Sequence, residues 1–213
     1  MGLWSFRPVD TKEVTSLFKG WINDNEYAKM YPEINQRNVF SISTLSQSVW
    51  KQIYWKEHPE KREVKTAYNE PMWEGKTAHE YFQRRLVAQG WQIEYPFRVE
   101  IFYQWRCYPY SNIVLIGHAD AYLPPNHEDR LLGTLVEIKR SRKNPFIYGN
   151  HILQAGVYSY LLSPCVGKEY PETFVVKVNT VVRARKLDAH EITASWGVIR
   201  NRALECAVKL DHS

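Results

Sequence analysis

Residues 135–158 read LVEIKRSRKNPFIYGNHILQAGVY, and within them Glu137 and Lys139 stand two apart on an apolar stretch that reads as a strand. Strand alternation points both side chains to one face. Charges beside a core are tolerated when they pair or bind a metal. The triplet alone means little: average usage predicts roughly one Glu-x-Lys by chance in a chain of this length, and this one holds three, with Asp10-Thr11-Lys12 as a further acid-x-Lys. Glu63-Val64-Lys65 and Glu74-Gly75-Lys76 lie in charged or helix-leading segments and Asp10 at a helix cap, so these read as solvated surface. Glu137-Ile138-Lys139 differs because Leu135, Val136 and Ile138 mark a buried strand. A structural ion pair and a reactive site both remain open on that spacing. Asp120, in IGHADAYL on the preceding apolar stretch, favours the site, because a hairpin would set it next to Glu137. Adjacent carboxylates repel, and a hard cation such as Mg²⁺ or Mn²⁺ is the usual resolution. The Ile138 backbone carbonyl could add an oxygen. Lys139 would stand beside the ion, able to orient or deprotonate a water and to offset charge on a phosphate.

The elements that must position these residues follow from periodicity. Asp10 or Thr11 can cap a first helix through Val14, Leu17, Phe18, Trp21 and Ile22, and Ser43 a second, STLSQSVWKQIYWKEH, with Leu45, Val49 and Ile53 on one stripe. A third runs through EGKTAHEYFQRRLVAQG, with Ala78, Phe82, Leu86 and Val87 apolar and Gly90 as C-cap. EYPFRVEIFYQW, NIVLIGHADAYL and LGTLVEIKRS then alternate as successive strands, the last two joined by the long turn PPNHEDR. GNHILQAGVYSYLLS returns to helical spacing with Asn150 or Gly149 as cap, TFVVKVNTVVRAR is another strand, and Thr193 begins a closing helix. The order α-α-α-β-β-β-α-β-α predicts an α/β protein, a central mixed β-sheet flanked by helices. A single domain is expected over residues 1–213, helical over 1–90, with the sheet at 91–190 and the last helix at 191–213.

Composition is compatible with this and narrows it. The 213 residues, 44% hydrophobic, suffice for one core. No apolar run approaches the ~20 residues of a membrane span, and MGLWSFRPVD lacks the layout of a signal peptide, so no membrane partner and an intracellular location are expected. Phe6 stands where a myristoylation signal wants Ser or Thr. Cys107, Cys165 and Cys206 lie far apart and read as buried free thiols, not as a disulfide or zinc framework. A net charge of +5 suits a polyanion partner, and aromatics at 14% could stack on unpaired bases as well as fill a core.

GHADAYL followed by LVEIKRS resembles the paired-strand core of the PD-(D/E)XK nuclease superfamily, with Asp120, Glu137 and Lys139 at its signature positions. Gln154 and Tyr158 reproduce the Gln-x-x-x-Tyr motif of its RecB-like branch, and GKTAHEYF is similar to that branch's first motif, in which a helical histidine, here His79, completes the metal site. The resemblance spans residues 75–158 and implies a restriction-endonuclease-like core. It implies a DNA nuclease with Mg²⁺ or Mn²⁺ held by His79, Asp120, Glu137 and the Ile138 carbonyl. Gln154 and Tyr158 would then face the scissile phosphate or orient Lys139, and the substrate would be single-stranded DNA or DNA ends. Arg140, Arg142 and Lys143 just beyond the site suit a clamp on the DNA backbone. His118 is read as off the face of Asp120 and structural.

By size and motif setting the chain is similar to the CRISPR-associated RecB-like exonucleases and their archaeal-virus relatives. FSISTLSQSVWKQIYWK resembles the segment where those proteins place an early cysteine of an iron–sulfur cluster, but it contains none, and of three cysteines expected near the carboxyl end only Cys206 occurs. No iron–sulfur cluster is therefore expected, and a stand-alone viral or cellular nuclease is the better reading, cytoplasmic, in the host if virus-encoded. A restriction-type or junction-resolving endonuclease fits His79 and the Gln-Tyr pair less well. A non-catalytic nucleic-acid-binding module need not keep Asp120, Glu137 and Lys139 together. Cutting mode, strand polarity and oligomeric state stay open.

Overall fold

Stretches dense in Val, Ile, Phe and Tyr make the sheet, because branched and aromatic side chains pack well on a pleated, half-buried surface. The computed structural model describes residues 33, 36–59, 70–103, 111–125, 132–140, 146–163, 169–178 and 182–211, with 70–78, 103, 111 and 140 by backbone alone. Its elements are β1 (Val39–Ser41), α1 (Ile42–Gln47), α2 (Val49–Glu57), α3 (Glu70–Val87), β2 (Gln92–Tyr103), β3 (Ser111–Leu123), β4 (Thr134–Arg140), α4 (Gly149–Leu162), β5 (Glu172–Val178), β6 (Val182–Lys186) and α5 (Ala189–Asp211). The protein is α/β, a mixed six-stranded sheet flanked by helices. The helix expected over residues 10–22, together with Cys107 and Cys165, lies outside the described residues.

The centre of the sheet is β3. Antiparallel β2 follows one of its edges from Gln92 opposite Tyr122 to Tyr103 opposite Ser111. Two strands share the other edge: parallel β1 covers Val114–Ile116, and antiparallel β4 covers Ala121–Leu123. Between them, residues 117–120 of β3 face a gap in the sheet among the described strands. Beyond Val136, β4 parts from β3 and pairs with parallel β5, Thr134 opposite Glu172 through Arg140 opposite Val178. Antiparallel β6 completes the sheet.

Alternation gives β3 two unlike faces. Ile113, Leu115 and Ala119 enter the main core with Phe97, Val157, Tyr158, Ile199 and Ala203. Val114 and Ile116 turn the other way and form a small cluster with Val39, and His118 and Asp120 continue that second face. Tyr158 from α4 stacks on Phe97 with ring centroids 4.8 Å apart. It lies so close to the strand that a Cβ on Gly117 would meet its hydroxyl at 2.6 Å. Glycine at 117 is thus what lets α4 settle against the gap.

Several local expectations change. The second helix is two, because Ser48 leaves the helix, takes an extended backbone and caps α2, while Ser41 and not Ser43 caps α1. The three-residue β1 is too short to show a period. In α3, which begins four residues before the expected start, Phe82 and Leu86 are half-buried and Val87 is exposed; among the described side chains of the helix the buried one is Gln83, and that of Ala78 lies outside them. That helix closes as a Schellman motif: Trp91 N–H donates to the Leu86 carbonyl, Gly90 N–H to the Val87 carbonyl, and Gly90 takes φ +84. TFVVKVNTVVRAR is a hairpin, β5 and β6, instead of one strand. Tyr148 caps α4 in place of Asn150 or Gly149. Asp188, not Thr193, opens α5 through a reciprocal box in which Glu191 N–H donates to Asp188 Oδ1 at 2.8 Å and Asp188 N–H to Glu191 Oε2 at 3.3 Å.

Candidate metal centre

The gap beside β3 is where charge collects. Asp120 is the last β3 residue before the ladder with β4 begins, and the fully buried Glu137 is the first β4 residue after that ladder ends. There the Asp120 carboxylate takes the place of a strand partner, since its Oδ2 accepts the Ile138 backbone N–H. Lys139 follows on the same face, its ammonium paired with Glu137 and 4.0 Å from Asp120 Oδ2. With 23% of its side chain exposed, Lys139 is more open to solvent than Asp120 or Glu137.

Helix α3 supplies the opposite wall. His79 Nε2 lies 2.9 Å from Asp120 Oδ1. One turn further along, Gln83 Nε2 donates to the Asp120 backbone carbonyl at 3.2 Å and also to Glu94 Oε1. Glu94, on β2, stands 3.8 Å from His79 Nδ1 through Oε1 and 2.9 Å from His118 Nε2 through Oε2. A ligand atom from each of His79, Glu94 and Asp120 lies within 4.8 Å of the others.

Burial and neighbours divide the charges. Burial pushes Asp120 up, but Lys139 and His79 more than offset this and hold it below the ordinary value. The same burial, reinforced by the charge of Asp120 and only partly opposed by Lys139, pushes Glu137 up to about 7. Burial lowers Lys139, yet Glu137 and Asp120 outweigh it and keep the amine protonated. His79 follows the same pattern: burial lowers it, and the hydrogen bond and charge of Asp120 raise it further. Glu137 Oε2 is buried without a hydrogen-bond partner, a costly state for a polar oxygen.

These residues suit a divalent cation. An octahedral ion with ligands at about 2.1 Å spaces neighbouring ligands about 3 Å apart, close to the 2.9 Å between His79 Nε2 and Asp120 Oδ1. Glu137 Oε2 offers an oxygen that no protein donor occupies.

Of the site residues expected from sequence, His79, Asp120, Glu137, Ile138 and Lys139 come together here. Gln154 and Tyr158 are one turn apart on α4 and hydrogen-bond to each other at 3.5 Å, with Tyr158 buried against Gly117, three residues before Asp120. Arg140 ends β4, its side chain outside the described residues, as are Arg142 and Lys143. Three polar residues at the centre go beyond that set. His118 stands two residues before Asp120, so alternation puts both on one face, contrary to the sequence reading; Gln83 is four residues beyond His79 on one helical stripe. Glu94 carries no such signal, because only the β2–β3 register brings it opposite Asp120. Lys177, opposite Lys139 in the β4–β5 register, is also buried, with its ammonium on the Phe146 carbonyl and 4.6 Å from the Tyr148 ring centroid.

No family model matches the chain, and no curated protein does. Among solved structures, SSO0001 superposes with a TM-score of 0.57 over 93% of this chain and 83% of its own, at 17% sequence identity, a likeness of fold. No helix among the described residues is long and apolar enough to cross a membrane.

Proposed function

We propose that this chain is a Mg²⁺- or Mn²⁺-dependent nuclease of the PD-(D/E)XK superfamily, RecB-like branch, that hydrolyses phosphodiester bonds in single-stranded DNA or at DNA ends. The observation that carries the reading is the convergence of His79, Asp120, Glu137 and Lys139 on one gap in the sheet, with a buried oxygen of Glu137 left without a donor. An ion pair serving only the fold would leave no carboxylate oxygen orphaned at its heart.

His79, Asp120 and Glu137 would hold the ion, with the Ile138 carbonyl as a further oxygen. The imidazole among the carboxylates favours Mn²⁺, the softer ion. A bound ion lowers the pKa of its water and offsets charge on the phosphate. Lys139 remains an ammonium at neutral pH because two carboxylates face it. It therefore orients water and stabilises phosphate charge in preference to serving as the base. Gln154 and Tyr158 brace the same gap from α4 through Gly117, and the basic run after β4, Arg140, Arg142 and Lys143, would follow the DNA backbone. The proposed setting is the cytoplasm, that of a host if the chain is virus-encoded.

The test pairs a linear with a circular single strand, each with Mn²⁺ and with EDTA, using wild type and Glu137→Gln. Manganese-dependent cleavage that the variant lacks supports the reading. Cutting of the circle establishes endonuclease activity. Wild-type cleavage in EDTA, or none of either substrate with Mn²⁺, overturns it.

A further inference from the structure

Glu94 is the only non-glycine among the described residues with a positive φ, +48. A left-handed conformation is unfavourable for a residue with a Cβ, and in the middle of a strand nothing local calls for it. The ladder on either side keeps one register, Ile93 opposite Ala121 and Tyr95 opposite Ala119, so no residue has been inserted and this is not a bulge. Glu94 turns out of the strand in place, and the residue it stands opposite is Asp120.

Both oxygens of the side chain are taken. Oε1 accepts from Gln83 and faces His79 Nδ1 at 3.8 Å, and Oε2 faces His118 Nε2 at 2.9 Å. Glu94 thus lies beside the Nδ1 edge of His79, while Nε2 is turned to Asp120. We propose that Glu94 is a positioning residue for the metal centre: its carboxylate, 3.8 Å from Nδ1 of His79, draws the ring proton to that edge by charge, so that Nε2 is presented beside Asp120, and the left-handed backbone is the strain that aims it. Coordination through Nε2 leaves the imidazole proton on Nδ1, and Glu94 is the carboxylate that faces it. A carboxylate behind a ligating histidine fixes the tautomer and the ring orientation. Gln83 and His118 hold that carboxylate from a second helical turn and from β3, so its direction does not depend on Glu94's own rotamer alone.

This inference rests on the metal reading, and the experiment separates the two. Manganese affinity is measured by titration calorimetry on the full, EDTA-stripped chain for wild type, Asp120→Ala, Glu94→Gln and Glu94→Gly. The ring-nitrogen and Nδ1–H proton shifts of His79 are recorded with saturating Mg²⁺. Wild-type binding that Asp120→Ala loses establishes the metal site, and the Glu94 variants then decide alone. Both are expected to bind about tenfold or more weakly, with the Nδ1–H proton signal of His79 moved upfield and broadened by faster exchange with water. Glycine accepts positive φ, so metal-free Glu94→Gly should melt within a few degrees of wild type while sharing the loss of affinity. Affinity within threefold of wild type in the Gln variant, or a loss with the His79 Nδ1–H signal unchanged, overturns the inference. No manganese binding by wild type removes it together with the metal reading.

Discussion

Two glutamates flank Asp120 from the strands on either side of β3, and they end in opposite states. Glu94 on β2 is pushed up by burial, but the hydrogen bond and charge of His118 and the hydrogen bond of Gln83 outweigh that and leave it below the ordinary value. Glu137 on β4 has burial and the charge of Asp120 against it, one ammonium for it, and an oxygen with no donor. The difference lies in the supply of donors, not in depth alone. Glu94 is electrostatically complete as the protein stands. On the proposed reading Glu137 is completed by a bound cation, so the β4 side would serve as ligand and the β2 side as support.

Breaking Asp120 or the β4 side should therefore have the largest effect. Asp120→Ala, Glu137→Ala and Lys139→Ala are each expected to lower cleavage on the order of a thousandfold or more, the several kcal/mol that metal-assisted charge stabilisation supplies. Circular dichroism should show the fold retained. Wild-type turnover by folded Glu137→Ala would contradict the division between the two glutamates. The same division predicts an ion dependence: EDTA abolishes cleavage, and Ca²⁺ supports DNA binding with little turnover, because its larger, looser shell positions water poorly.

The unfinished state of Glu137 also predicts how the metal-free protein responds to pH. Its folded value near 7 exceeds the ordinary 4.5 of an unfolded glutamate, so between those values the folded state binds the extra proton and stability falls as pH rises. The loss is on the order of 3 kcal/mol across that window. His79 and His118, both raised above 6.5, contribute stability that is present below that value and lost as pH rises through their folded values, in the same direction. Asp120 and Glu94 are lowered; their contributions are lost only on acidification below the ordinary carboxylate range, so they leave this slope alone. His151, pushed down to about 4 by burial and by the charges of Lys139 and Lys177, works the other way below 6.5. The melting temperature of EDTA-treated protein should therefore fall from pH 6.5 to pH 8, Glu137→Gln should flatten that fall, and Mn²⁺ should stabilise more at pH 8 than at pH 5. A rising curve for wild type in that range would mean that Glu137 is already ionised without metal.

The two sides also differ in what sequence can reveal. Period-two runs disclose β2, β3 and β4, and the Glu-x-Lys spacing alone places Glu137 and Lys139 on one face. His79 enters through resemblance, since nothing about a histidine on a helix says which strand it will meet. The β2 side is hidden for a physical reason. Glu94 reaches Asp120 through hairpin register and a backbone conformation that no residue preference announces, and Gln83 occupies a position that apolar periodicity assigns to surface. His118 is legible by simple alternation with Asp120, and reading it as off that face misplaces it. The gap itself depends on a three-residue strand, β1, stopping at Ser41 opposite Ile116, too short a run to show a pattern.

The smallest effect is expected far from both glutamates, at the cysteines. An iron–sulfur cluster ordinarily needs four thiolates gathered round the irons, and the chain has three cysteines. Cys206, on α5, is fully buried in the main core, with its thiol directed to the Val49 carbonyl at 3.7 Å. Burial, helped by Glu205 and only partly opposed by Lys209 and Lys56, pushes it up to about 12, so it is held as a thiol, the form that ligates metals poorly. Anaerobically purified protein should be colourless, with iron and acid-labile sulfide far below one per chain. Cys206→Ser should leave nuclease activity nearly unchanged and cost about 1 kcal/mol of stability, since the serine hydroxyl finds the same Val49 acceptor but brings a more polar group into the core. Cys107→Ser and Cys165→Ser should likewise leave nuclease activity nearly unchanged. Brown protein whose stoichiometric sulfide disappears in Cys206→Ser would show that the helical side of the molecule carries a second inorganic centre, and the contrast between one charged gap and an inert core would no longer hold.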